Sequence, residues 1–80
     1  MCGIIGIASN KLVASNIIQS LKKLEYRGYD SAGIATIVNG EINEKKCAGR
    51  VDNLEKMLFK NPSNGSLGIG HVRWATHGIP

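Results

Sequence analysis

Most of the side chains able to do chemistry fall in three short segments. They are Met1-Cys2-Gly3-Ile4-Ile5-Gly6, Tyr26-Arg27-Gly28-Tyr29-Asp30-Ser31-Ala32-Gly33 and His71-Val72-Arg73-Trp74-Ala75-Thr76-His77-Gly78. Cys2 directly follows Met1, and methionine aminopeptidases remove Met when the next side chain is small. Once Met1 is gone, one residue carries both a thiol and an α-amine. The thiolate is the nucleophile, and a thiol is only partly ionised at neutral pH. An α-amine with a pKa of about 7.7–8.0 is a usable base there. A nucleophile activated by the chain-terminal amine is an established route to covalent catalysis. Taken alone, a Cys near an N-terminus reads more readily as a small buried hydrophobe than as a nucleophile.

Other polar residues invite plainer readings. Cys2, Cys47, His71 and His77 have no pair at zinc-ligand spacing, so no metal site is expected. His71 lies in an apolar run and reads as a satisfied core or interface group, and Cys47 as inert.

The elements that must position these residues follow from pattern. Gly3 to Ala8 is a short apolar run that reads as a buried strand. Val13, Ile17, Ile18, Leu21 and Leu24 recur at helical spacing and predict a helix over 13–25, with Gly28 able to cap it. Gly33 to Val38 reads as a second strand. Asn39-Gly40 is a strong hairpin signal, and Glu41 to Cys47 is the returning strand, polar enough for a sheet edge. Val51, Leu54, Met57 and Leu58 mark a second helix. Asn61 to Gly65 is a loop by composition, Leu67 to Val72 another buried strand, and Arg73 to Pro80 a loop. This order of strand, helix, hairpin, helix and strand predicts an α+β layered domain.

Composition excludes several classes. Of the 80 residues, 42% are hydrophobic, which suits a packed chain rather than a disordered one. Two cysteines are too few for a disulfide framework, and the apolar start is too short for a signal core or membrane span. The expected setting is therefore cytoplasmic, with no membrane contact. The net charge of +4 is spread along the chain with four aromatics in all, which argues against a nucleic-acid partner.

Taken together, the three segments resemble the class II glutamine amidotransferases, enzymes of the N-terminal-nucleophile hydrolase type. The resemblance covers the whole chain. It is strongest, through Tyr29-Asp30-Ser31 and Arg73-Trp74-Ala75-Thr76-His77-Gly78, to members that pass ammonia to fructose 6-phosphate. Amidophosphoribosyltransferases share the Cys-Gly-Ile start but differ at Tyr29 and around Trp74 to His77. The resemblance implies a four-layer αββα sandwich with antiparallel sheets, no cofactor, and a homo-oligomeric full-length protein. Residues 1–80 would be the N-terminal portion of its glutaminase domain, cut short.

The resemblance also assigns roles. Cys2 would attack the side-chain amide of glutamine while its own amine carries the proton to the departing ammonia. Water would then hydrolyse the glutamyl thioester. Arg73 would grip the glutamine α-carboxylate, for which its planar fork is suited, with Thr76 and His77 lining the same pocket. His77 reads equally as a loop residue donating to a backbone carbonyl. Arg27 and Gly28 would fix the N-terminus. Trp74 would gate ammonia, or else be a packing anchor. Asp30 and Ser31 would tie down the turn.

In the resembled family an Asn-Gly pair beyond the Trp-Ala-Thr-His-Gly loop supplies the oxyanion donors that acyl transfer needs. Neither Asn39-Gly40 nor Asn64-Gly65 fits that position. The acidic residue for the glutamine α-amine and the sugar-phosphate isomerase domain lie further on as well. The isolated 80 residues are therefore expected to be inactive. The alternative is a truncated, non-catalytic homologue that binds a partner.

Overall fold

A computed structural model describes residues 3–27 and 30–74, the side chain of Arg27 excepted. The elements in order are β1 (Gly3–Ala8), α1 (Ala14–Leu24), a 3₁₀ turn (Glu25–Arg27), β2 (Ser31–Val38), β3 (Glu41–Ala48), α2 (Val51–Lys60) and β4 (Leu67–Arg73). The four strands form one sheet in the order β1-β4-β2-β3, every pair antiparallel. The expected α+β class is thus observed. The last strand enters the sheet between the first two, and β3 takes the edge that its polar sequence predicts.

Local chemistry accounts for the connections. Asn39 (φ 52°) and Gly40 (φ 80°) both have positive φ. That is the two-residue turn whose twist matches an antiparallel pair, and it closes β2 onto β3 at Val38 and Glu41. α1 starts one residue later than predicted, with Val13 as its cap, and tightens into the 3₁₀ turn at Glu25. At α2 the capping residue Arg50 makes no side-chain cap. Instead Glu25 Oε2 accepts the Val51 N–H at 2.8 Å. A carboxylate at a helix N-terminus satisfies an orphan donor and complements the dipole. The exit of the first helix therefore anchors the start of the second.

The core lies between the helices and one face of the sheet. Val13 at the cap of α1, Ile17, Ile18 and Leu21 within it, Val51 and Leu54 from α2, and Ala32, Ile34 and Val72 from the strands are all buried. Gly70 on β4 makes room for this. A Cβ there would collide with Ile17 Cγ2 and lie 3.1 Å from Leu21 Cδ1.

The other sheet face is uncovered, and here the sequence reading needs correction. β1 and β4 read as buried strands, but Ile4 is 77% and Ile69 57% exposed, and Ile37 and Ile42 are exposed beside them. The cause is the pleat. Alternate side chains point to opposite faces, and α1 and α2 cover only one.

Candidate functional site

β4 gathers the placeable candidates. His71 and Arg73 are two residues apart on this strand, so both project from the uncovered face, and Trp74 follows directly. In the register, Gly3 pairs with Val72, and Ile4 with His71. The residue bonded to Cys2 therefore lies opposite the residue bonded to Arg73. Cys2, Gly28, Thr76 and His77 lie outside the described residues. Arg27 closes the 3₁₀ turn that leads toward β2.

Arg73 is half-buried at the end of β4, opposite Ser31 of β2. Its carbonyl accepts the Asp30 N–H at 2.6 Å, and the Asp30 carbonyl accepts the Gly49 N–H at 2.7 Å. Ser31 Oγ donates to Asp30 Oδ1 at 3.0 Å. Asp30 thus ties the end of β4 to the end of β3, the tying role expected of Asp30 and Ser31. Trp74 is half-exposed just beyond the strand.

Ser31, Lys46, Ala48, His71 and Arg73 frame a cavity of about 380 Å³ at this end of the sheet. Its character is cationic, from Lys46 and Arg73. Lys46 is largely exposed and makes a loose ion pair with Glu44, 3.8 Å away. Burial pushes the His71 pKa below its usual value; Lys46 and Arg73 push it further down, and Glu44 opposes them. A positive charge on the ring is disfavoured because it would be partly desolvated beside two cations.

The orientation of His71 is set by Gly33, its partner on β2. The ring meets the Gly33 backbone through its Nε2 tip, in the space a Cβ would fill, with Cδ2 and Cε1 both 3.1 Å from that point. Nδ1 therefore lies on the far side of the ring. His71 was expected to be a satisfied core or interface group, but this half-buried imidazole has no hydrogen-bond partner among the described residues. Sequence reading also missed Lys46. Period-two alternation could have put His71 and Arg73 on one face, but only the register reveals Gly33 and Lys46 beside them. Among the described residues, no three His, Cys, Asp or Glu side chains gather as a metal site.

A second groove, of about 420 Å³, lies between the start of α1 and the end of α2 and is lined by Leu12, Ile18, Leu58 and Phe59. Its carboxylate, Glu55, is engaged by Lys22 at 2.8 Å. Neither Arg73 nor Trp74, the candidate site residues whose side chains are described, lines it.

No family model matches the chain. Its full 80 residues are 55% identical to the glutamine–fructose-6-phosphate aminotransferase (isomerizing) of Mesorhizobium japonicum and 56% identical to that of Clostridium acetobutylicum. Over 79 residues, 99% of the chain, it is 60% identical to the protein of that name from Bartonella quintana. In each case the chain spans 13% of the relative's length.

Proposed function

Because this chain belongs with the N-terminal region of the glutamine–fructose-6-phosphate aminotransferase family, we propose that it carries the nucleophile and part of the glutamine pocket of a glucosamine-6-phosphate synthase. Cys2, exposed as the chain terminus once Met1 is removed, attacks the glutamine side-chain amide carbon. Its α-amine takes the thiol proton and hands it to the departing ammonia, a type of help worth about 10²–10⁴-fold. The glutamyl thioester is then hydrolysed to glutamate. In the intact enzyme the ammonia converts fructose 6-phosphate to glucosamine 6-phosphate in a domain beyond these residues.

Arg73 holds the glutamine α-carboxylate, with Thr76 and His77 in the same pocket. Arg27 and Gly28 steady the N-terminus, and Trp74 gates the ammonia. The setting is cytoplasmic; no helix among the described residues is long and apolar enough to cross a membrane.

The observation that carries this reading is the pairing of Gly3 with Val72. It puts Gly3 and Val72, the chain neighbours of Cys2 and Arg73, on adjacent strands at one end of the sheet. The uncovered face supports the remainder of the proposal. Its exposed Ile4, Ile37, Ile42 and Ile69 form the kind of apolar surface a second sheet buries in a sandwich, as expected if this sheet is one half of an αββα fold. The test is the Cys2→Ala variant of the intact protein. Glutamine hydrolysis should vanish while the folded state persists by circular dichroism; retained hydrolysis would overturn the assignment.

A further inference from the structure

The cavity at the end of the uncovered face holds one group that the proposed glutamine chemistry leaves unused. His71 lies two residues before Arg73 on the same face of β4, and both line the cavity with Lys46 and Ser31. Its Nε2 tip is sunk against the Gly33 backbone, which leaves Nδ1, on the far side of the ring, as the nitrogen able to meet a ligand. Among the described residues nothing accepts from or donates to that ring. A half-buried imidazole without a partner forgoes a hydrogen bond that a bound ligand would restore.

The chemistry of that ligand follows from the lining. Lys46 and Arg73 are donors only, Ser31 offers a hydroxyl, and Glu44 is drawn aside toward Lys46 at 3.8 Å. A small anion is the complement of such a cavity, and a carboxylate fits the planar fork of Arg73. We propose that His71 is a further substrate-positioning residue, donating its Nδ1–H to the amino-acid carboxylate that Arg73 holds. This rests on the reading of Arg73 given above. A neutral imidazole serves as such a donor at neutral pH. Below its own pKa it adds a positive charge to the cavity, alongside Lys46 and Arg73 and opposed by Glu44; β1 and β2 contribute Ile4 and Gly33, which carry no charge, to the same row.

The experiment is calorimetric titration of the intact protein with L-glutamate, the hydrolysis product, at pH 7.5 and at a series of lower pH values. His71→Leu, which removes the donor, should weaken glutamate binding by about five-fold at pH 7.5. His71→Asn, which keeps an amide N–H near the Nδ1 position, should stay within about two-fold of wild type. Wild-type binding of glutamate should tighten as pH falls below the lowered pKa of His71, and His71→Asn should lose that gain. Thermal unfolding of each variant verifies that it is folded. Unchanged binding in folded His71→Leu, or a full acid gain in His71→Asn, would overturn the inference. Unchanged binding in Arg73→Lys would instead overturn the glutamine-pocket reading on which it stands, so the two failures are distinguishable.

Discussion

Gly3 of β1 pairs with Val72 of β4, so the start of the first strand lies beside the end of the last. This is a consequence of topology. β4 enters the sheet between β1 and β2, and its last residues bring His71, Arg73 and Trp74 to the same end as the start of β1. Nothing local to either segment dictates that neighbourhood. It is fixed by α1 and α2 packing on one face and by the hairpin at Asn39-Gly40.

The pairing makes Arg73 the residue whose replacement should be most specific. Arg73→Lys keeps the charge but loses the planar fork. In the intact protein we expect kcat/KM for glutamine to fall about ten- to a hundred-fold, the equivalent of a lost charged hydrogen bond. The loss should appear mainly in KM, with thermal stability little changed. Steady-state glutaminase kinetics check this, and an unchanged KM would count against a carboxylate contact.

Gly70 should tolerate no side chain. A methyl group at its Cβ position meets Ile17 Cγ2 from α1, and both elements belong to the same close-packed core. Gly70→Ala should therefore destabilise the domain by about 1–3 kcal/mol through overpacking. Chemical denaturation would measure it. A neutral result would mean that α1 sits further from β4 than described.

Much of this architecture was legible in the sequence, and the limits are physical. The stripe of Val13, Ile17, Ile18 and Leu21 specified α1 because burying one face of a helix demands that spacing. Asn39-Gly40 specified the hairpin because few residue pairs accept two positive φ angles. β1 and β4 read as buried strands because glycine and isoleucine there mask the alternation. Gly68 and Gly70 occupy the covered face, whereas Leu67 and Ile69 occupy the exposed one. The family resemblance, not any local pattern, pointed to Arg73 and Trp74. The partnership of His71 with Gly33 depends on strand register, which no local pattern encodes. The role of Glu25 is equally non-local, since its partner lies 26 residues away.

That contact gives a stability prediction. Glu25 Oε2 receives the Val51 N–H at 2.8 Å and stands in for the missing side-chain cap of α2. Glu25→Ala should cost about 0.5–2 kcal/mol, the usual range for a lost cap. Glu25→Gln, which keeps an acceptor, should cost less. Equal losses in the two variants, measured by thermal or urea unfolding, would show that the hydrogen bond contributes nothing beyond charge.

The lowered pKa of His71 predicts a pH dependence with a definite sign. Burial, then Lys46 and Arg73, disfavour its protonated form in the folded state. Between its folded pKa and the ordinary value near 6.5, the unfolded chain binds more protons than the folded one, so stability rises with pH there. The contribution is fully present above about 6.5, the unfolded value, and is lost as pH falls through the folded pKa. The Tm of the wild-type protein should drop on acidification below that point more than the Tm of His71→Asn. Parallel curves would contradict a disfavoured His71 charge.

The central claim is that Cys2 is the nucleophile, and it can be tested on the intact protein with a glutamine-mimicking electrophile followed by intact-mass and peptide mapping. We predict loss of Met1 and a single adduct on Cys2, formed more slowly when glutamate is present. Cys47 should stay unlabelled. Retained Met1, an adduct on Cys47 alone, or labelling indifferent to glutamate would contradict the account.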